Sequence, residues 1–366
     1  MAAGSGTPVE VELVRVRVPL RAPLRSAHGT EAVRDLVLVR VALADGSTGW
    51  GECSALARPT YTAEHTAGAW LVLREELGPA LLAGTDPGVV GHPMAAAAVG
   101  TAHLDARLRR QGRRLVEELG AAHGRPAERV AVAAVVSRSG SVDDVLADVA
   151  ARLAEGVALV KLKVSPRPAD LDAVAAVRAA WPSLALAVDA NGTLDARSLA
   201  VLGPLGLAYV EQPAPADDLL ASAALARRID APVALDESIT SLAALEVALA
   251  VGAGSVVNVK AARLGGVAAA AEVARAAADA GCGVFVGGML ETGVGRAAAL
   301  AVAALPWCTL PTDLGPSSRY WDRDLTEPIE LDPDGLLPVP TGPGTGVAPD
   351  PQRLVDVVVD RVVLGR

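Results

Sequence analysis

The chain has 366 residues, enough for two domains with a large buried core. Thirty-three basic residues against 42 acidic ones leave a net charge of −9, which argues against a protein held on nucleic acid or a membrane by bulk charge and points to small-molecule partners. No stretch reaches the ~18 apolar residues of a membrane span, and Met1 to Thr7 lacks the basic and apolar regions of a secretion signal. Three scattered cysteines, Cys53, Cys282 and Cys308, fit buried thiols in a reducing cytoplasm better than a disulfide or a zinc site.

Residues 9–19, 34–44 and 47–53 alternate apolar and polar side chains, which predicts a three-stranded antiparallel meander. Helical patterns follow at about 62–83 and 92–119, with Gly120 as a stop, so residues 1–128 form an α+β domain. From Arg129 the texture changes to short apolar runs at 130–137, 159–164, 184–189, 207–212, 233–237, 255–260, 283–288 and around Cys308 to Leu310. Each run is followed by a helical pattern, as in parallel βα units buried on both faces. Eight units predict a (β/α)8-type barrel over 129–314, with a doubly wound open sheet as the alternative. Residues 315–366 are expected to return across the surface to the first domain and to end in a strand at 354–364.

Only three of the 33 basic residues are lysines: Lys161, Lys163 and Lys260. A position that keeps lysine where arginine is the habit can need an amine able to lose its proton. In a barrel the active site lies at the C-terminal ends of the strands. Those ends carry Lys161 and Lys163, Asp189 and Asn191, Glu211, Asp236 and Glu237, and Lys260, with successive units 22 to 26 residues apart. Three acids converging in an apolar pocket repel one another unless a divalent cation joins them, and all-oxygen ligands favour Mg²⁺. The plainer alternative is that each acid caps the helix after it. Lys161 and Lys163, two apart on a strand, point together into the barrel, and Lys260 enters from the far side. Buried amines beside a cation are expected to have depressed pKa values and to abstract a proton α to a metal-held carboxylate. Structural pairing with the acids is the alternative.

The K-x-K at 161–163, V-D-A-N at 188–191, V-E-Q-P at 210–213, L-D-E-S at 235–238 and N-V-K at 258–260 resemble the enolase superfamily, muconate-lactonizing subgroup. Within it, G-W-G-E-C at 49–53, G-G-M-L-E-T-G-V-G-R-A at 287–297, S-S-R-Y-W at 317–321, D-L-T-E-P at 324–328 and V-P-T-G-P-G at 339–344 resemble the o-succinylbenzoate synthase branch, which also contains N-succinylamino acid racemases. The resemblance implies a modified (β/α)8 (TIM-like) barrel whose N-terminal α+β capping domain is completed by the C-terminal tail. It implies Mg²⁺, with Mn²⁺ able to substitute, on Asp189, Glu211 and Asp236, Lys163 as base and Lys260 opposite. It also implies a small carboxylate substrate bearing a succinyl group, met by Lys161, Asn191, Gly288, Met289, Glu291, Ser137 and Arg25; a homo-oligomer is compatible with it. All five histidines precede the barrel, so the histidine base of mandelate-racemase relatives is missing.

Gly293 to Ala298 superficially matches a dinucleotide fingerprint, but the acid expected ~20 residues on is Ser318. The N-terminus of the helix it opens is a candidate holder of a substrate carboxylate. The segment Arg21 to Thr30, with Arg25 and His28, resembles a loop that closes such sites. Arg263 is placed to depress the pKa of Lys260. Glu237, next to Asp236 on a strand, should point away from it and support the site from outside.

Overall fold

The structure is a computed structural model that describes residues 6–26, 29–120, 124–137 and 140–365; the side chains of Arg25 and Ser26, and the whole of His28, lie outside the described residues. The expected meander is present as β1 (Pro8–Ser26), β2 (Gly29–Leu43) and β3 (Thr48–Cys53). Both of its faces are buried. Val11, Leu13, Val37, Val39 and Val41 pack against the helices of the cap, while Val14, Val16, Val18, Leu36 and Leu38 pack on Val294, Trp321 and Leu325 of the rest of the chain. Within the 21–30 segment the described residues, 21–26 and 29–30, belong to two paired strand ends, with Leu24 opposite Glu31 and Arg25 opposite Thr30.

The second predicted helix breaks early. It runs Pro93–Gln111 and stops at Gly112, whose φ of 65° is the left-handed cap that glycine adopts freely, and a separate turn of helix, Leu115–Gly120, follows. Gly49 and Gly51 of β3 lie flush on Pro93–Gln111, where a Cβ on either would come within 2.1 Å of the helix backbone.

The run at 130–137 divides into β4 (Arg129–Ala131) and β5 (Ala133–Val136). Parallel strands β6 (Leu159–Lys163), β7 (Leu186–Asp189), β8 (Val210–Glu211), β9 (Val233–Leu235), β10 (Val256–Val259) and β11 (Gly283–Val286) follow β5 in consecutive order around one curled sheet of seven. The eighth position is held by an extended segment. Leu310 and Asp313 donate their amides to Val284 and Val286 of β11, and Thr312 exchanges backbone hydrogen bonds with Ala131 and Ala133. Seven strands and this segment make the modified barrel.

Alternation sorts each strand's side chains. Val160, Leu162, Val188, Val210, Leu235, Val257 and Val284 face outward into the core shared with the surrounding helices. Leu159, Ala187, Tyr209, Ala234, Val256 and Phe285 face inward and plug the floor of the barrel with Ala133. On β6 to β10 the next inward position, Lys161, Asp189, Glu211, Asp236 and Asn258, is polar and sits above that plug.

The tail returns to the cap as expected. Its β12 (Leu336–Pro338) pairs with β4, the Thr345 amide donates to Asp105 of helix Pro93–Gln111 at 2.6 Å, and β13 (Val358–Gly365) adds a fourth strand beside β1. The last strand starts later than predicted because Asp350 and Pro351 open a short helix, Pro351–Val355, in which the Asp350 carboxylate accepts the amides of Gln352 and Arg353.

Candidate active site

Above the hydrophobic plug, the inward positions carry Lys161 and then Lys163 on β6, Asp189 on β7, Glu211 on β8, Asp236 just past β9, and Asn258 and then Lys260 at the end of β10. In a ring of eight, β6 and β10 are four strands apart in either direction, so Lys163 and Lys260 stand on opposite walls. Each amine meets an acid. Lys163 Nζ donates to Asp189 Oδ2 at 2.6 Å and to Asn191 Oδ1 at 3.1 Å. Lys260 Nζ donates to Asp236 Oδ2 at 2.8 Å and to the Tyr61 hydroxyl at 3.1 Å. Lys161, fully buried, pairs with both Glu211 and Asp313.

Further contacts hold these groups in place. The Asn191 amide donates to Glu237 Oε1 at 2.9 Å, so Glu237 supports Lys163 through Asn191. Asn258 donates to Glu211 Oε1 at 2.7 Å. Gln212 Oε1 accepts the Asp236 and Ser238 amides and ties the end of β8 to that of β9. Arg263 pairs with Asp236 and reaches the Tyr61 hydroxyl. Three non-glycine residues have left-handed backbone, Asn191 (φ 43°), Gln212 (φ 40°) and Leu290 (φ 58°), and all three follow barrel strands at this mouth.

Burial pushes the Glu211 carboxyl up to about 8; Lys161 opposes this, while the charges of Asp189, Asp313 and Asp236 add to it. Burial pulls Lys161 and Lys260 down, but the carboxylates facing them win and both stand above the ordinary lysine range. The acids reach these amines directly, a contact that strand spacing does not encode; the expected depression concerns amines beside a bound cation. Arg263 acts in the predicted direction, lowering Lys260 against the larger pull of Asp236.

Turned onto lysines, no three His, Cys, Asp or Glu side chains among the described residues stand close enough to grip a metal ion. The donor set nevertheless suits a hard divalent cation. Asp189, Glu211 and Asp236 are buried carboxylates on three successive strands, the charges of Asp189 and Asp236 raise the proton affinity of Glu211, and Asp313 Oδ1 and Asn258 Oδ1 are buried beside them without a partner among the described residues.

A cavity of about 800 Å³ opens above these groups, under Leu20 to Leu24 of the cap, and takes in Ser137, Gly288 and Glu291. Asn191 and Met289 line a smaller hollow of about 110 Å³ beside it, with Tyr61. The Arg25 side chain lies outside the described residues. The helix N-terminus proposed for a substrate carboxylate is already taken. The amides of Thr292 and Gly295 donate to Glu52 of the cap at 3.2 and 3.1 Å, and that of Gly293 donates to Asp324 at 2.8 Å.

Sequence reasoning missed Asp313 and Tyr61. Asp313 could have been found by extending the ring of strand-end acids to the eighth unit; Tyr61, in the cap segment after β3, carries no periodic signal.

Residues 8–120 match the mandelate racemase / muconate lactonizing enzyme N-terminal domain, and residues 144–353 match the enolase C-terminal domain-like family. An N-succinylamino acid racemase from an Amycolatopsis species is 43% identical across 97% of this chain and 98% of that protein. An o-succinylbenzoate synthase from Geobacillus stearothermophilus is 35% identical across 94% of each. Among solved structures, an enolase superfamily member from Listeria innocua superposes with a TM-score of 0.92 at 30% identity, covering 98% of this chain and 99% of that one. Barrel, cap, strand-end ring and these matches agree: the chain belongs to the enolase superfamily, with both domains of its mandelate racemase and muconate lactonizing enzyme group.

Proposed function

We propose that this protein abstracts the proton α to the carboxylate of a small succinyl-bearing molecule, and that its reaction is that of an o-succinylbenzoate synthase. This is the syn-dehydration of 2-succinyl-6-hydroxy-2,4-cyclohexadiene-1-carboxylate to 2-succinylbenzoate in menaquinone biosynthesis. The observation that carries the reading is that Lys163 and Lys260 stand on opposite walls of a cavity floored by three buried acids. Lys163 takes the α-proton and, as the ammonium, returns it to the departing hydroxyl on the same face. Asn191, braced by Glu237, keeps the Lys163 amine aimed during both transfers. Lys260 stays charged and faces the negative charge that develops on the substrate. Asp189, Glu211 and Asp236 would hold Mg²⁺, or Mn²⁺ in its place, which supplies positive charge against the substrate carboxylate. The test is dehydration of the cyclohexadiene substrate with Mg²⁺ and with chelator; full activity in Lys163→Ala would sink the mechanism.

A second reading, N-succinylamino acid racemisation, is favoured by the 43% identity to a racemase. Racemisation needs both lysines to exchange protons on opposite faces of one carbon. Deuterium incorporation into either enantiomer of an N-succinylamino acid, with fast turnover and weak dehydration, would make it the primary activity.

A further inference from the structure

Strand β2 of the cap places Arg34 against the barrel loop that follows β11. The side chain is fully buried. Its Nη2 donates to the carbonyls of Ser54 at 2.7 Å and Met289 at 3.1 Å, Nε donates to the carbonyl of Leu290 at 3.3 Å, and Nη1 donates to Glu31 at 3.2 Å. Two successive loop carbonyls are therefore turned toward the cap. In a trans peptide the C=O and the following N–H point in opposite directions. The amides of Leu290 and Glu291 then point away from Arg34, and both residues line the large cavity. Neither amide donates to an acceptor among the described residues. Leu290 pays for this arrangement with its left-handed backbone, the conformation that turns successive amides into an oxygen-binding concavity.

We propose that Arg34 is a positioning residue for the substrate. It holds the 289–290 and 290–291 peptides so that the amides of Leu290 and Glu291 form a two-donor cradle for the carbonyl oxygen of the substrate's acyl tail. The Glu291 carboxylate closes one side of the cradle, its Oε2 only 3.1 Å from where a Cβ on Gly288 would stand, which favours a neutral carbonyl over a second carboxylate. The succinyl ketone of the dehydration substrate and the succinyl amide of the racemisation substrate both offer that oxygen. The inference rests on the succinyl tail of the proposed function and on neither reaction in particular.

The test is equilibrium binding to the Mg²⁺-loaded protein of two ligands, 2-succinylbenzoate and 4-(2-carboxyphenyl)butanoate, which carries CH₂ in place of the ketone. The wild type should bind the ketone about tenfold more tightly or better, the worth of one to two hydrogen bonds. Arg34→Lys should bring that ratio close to one while leaving the affinity for the CH₂ analogue unchanged. A merely structural arginine would weaken both ligands alike. A wild-type ratio near one, a ratio preserved in Arg34→Lys, or equal losses for both ligands would each overturn the proposal. Should Arg34→Lys fail to fold, Glu31→Gln, which removes the only carboxylate partner of Arg34 among the described residues, is expected to lower the ratio about threefold, and an unchanged ratio overturns the proposal. Because binding is read without turnover, a protein that shows the ratio but converts neither substrate refutes the proposed function and leaves the cradle standing.

Discussion

Glu52 of the cap accepts the Thr292 hydroxyl at 2.5 Å and the Thr292 amide at 3.2 Å, so a cap carboxylate sits at the N-terminus of barrel helix Gly293–Ala303. The Ser54 hydroxyl, at 3.0 Å, and the Gly295 amide complete its shell. This one side chain joins the cap to the barrel beside the loop that lines the large cavity.

Burial pushes the Glu52 carboxyl up to about 7 from the ordinary 4.5, with Glu291 adding to the shift and the donated hydrogen bonds opposing it. An acid that binds its proton more tightly folded than unfolded makes folding take up a proton between these two values. The contribution of Glu52 to stability is therefore full below pH ~4.5 and is lost as the pH rises toward 7, with a ceiling of about 3 kcal/mol. Denaturant unfolding of the wild type and Glu52→Gln from pH 5 to 8 should show the wild type losing stability across this window relative to the variant. Parallel curves would refute the shift.

Lys163→Ala should lower dehydration by about 10²- to 10⁴-fold in a protein that still folds, the usual worth of a positioned general base. Steady-state rates of the purified variant check this. In Lys260→Ala, α-proton exchange from the enantiomer presented to the Lys260 wall should disappear, while exchange on the Lys163 face should persist more weakly; NMR in deuterium oxide reads the two separately.

Mg²⁺ at about a hundred times its dissociation constant should stabilise the protein by about 2.7 kcal/mol. Asp236→Asn and Glu211→Gln should abolish that shift, and chelator should remove it from the wild type together with activity. A thermal shift insensitive to both substitutions would place the ion elsewhere.

Gly287→Ala should destabilise the protein by about 1–3 kcal/mol, the cost of overpacking. A Cβ there stands 2.3 Å from Asn258 Oδ1, and Asn258 holds Glu211, so the substitution should also weaken Mg²⁺ binding. Thermal melts with and without Mg²⁺ separate the two effects.

Much of this site was legible because a strand repeats every two residues: once Leu159 faces the barrel floor, Lys161 and Lys163 must face the space above it. The same rule carries Asp189, Glu211 and Asp236 inward on their own strands. Asp313 stayed hidden because the eighth apolar run, around Cys308 to Leu310, is short and its segment forms only an isolated bridge, Val132 to Thr312, in place of a regular strand. Tyr61, Arg34 and Glu52 stayed hidden for another reason: their partners, Lys260, Met289 and Thr292, lie more than 190 residues along the chain, and no local pattern encodes such a meeting. The direct pairing of lysines with acids belongs with these contacts.

The pairing of β13 with β1 fixes an order of assembly. The outer strand of the cap sheet joins only after every barrel unit has left the ribosome, and Glu10 opposite Gly365 then closes a circuit spanning nearly the whole chain. The barrel can begin to form from neighbouring βα units, but its roof is finished by residues made after it. The cavity is thus among the last features to mature, and a chain interrupted within the barrel leaves the cap without its fourth strand.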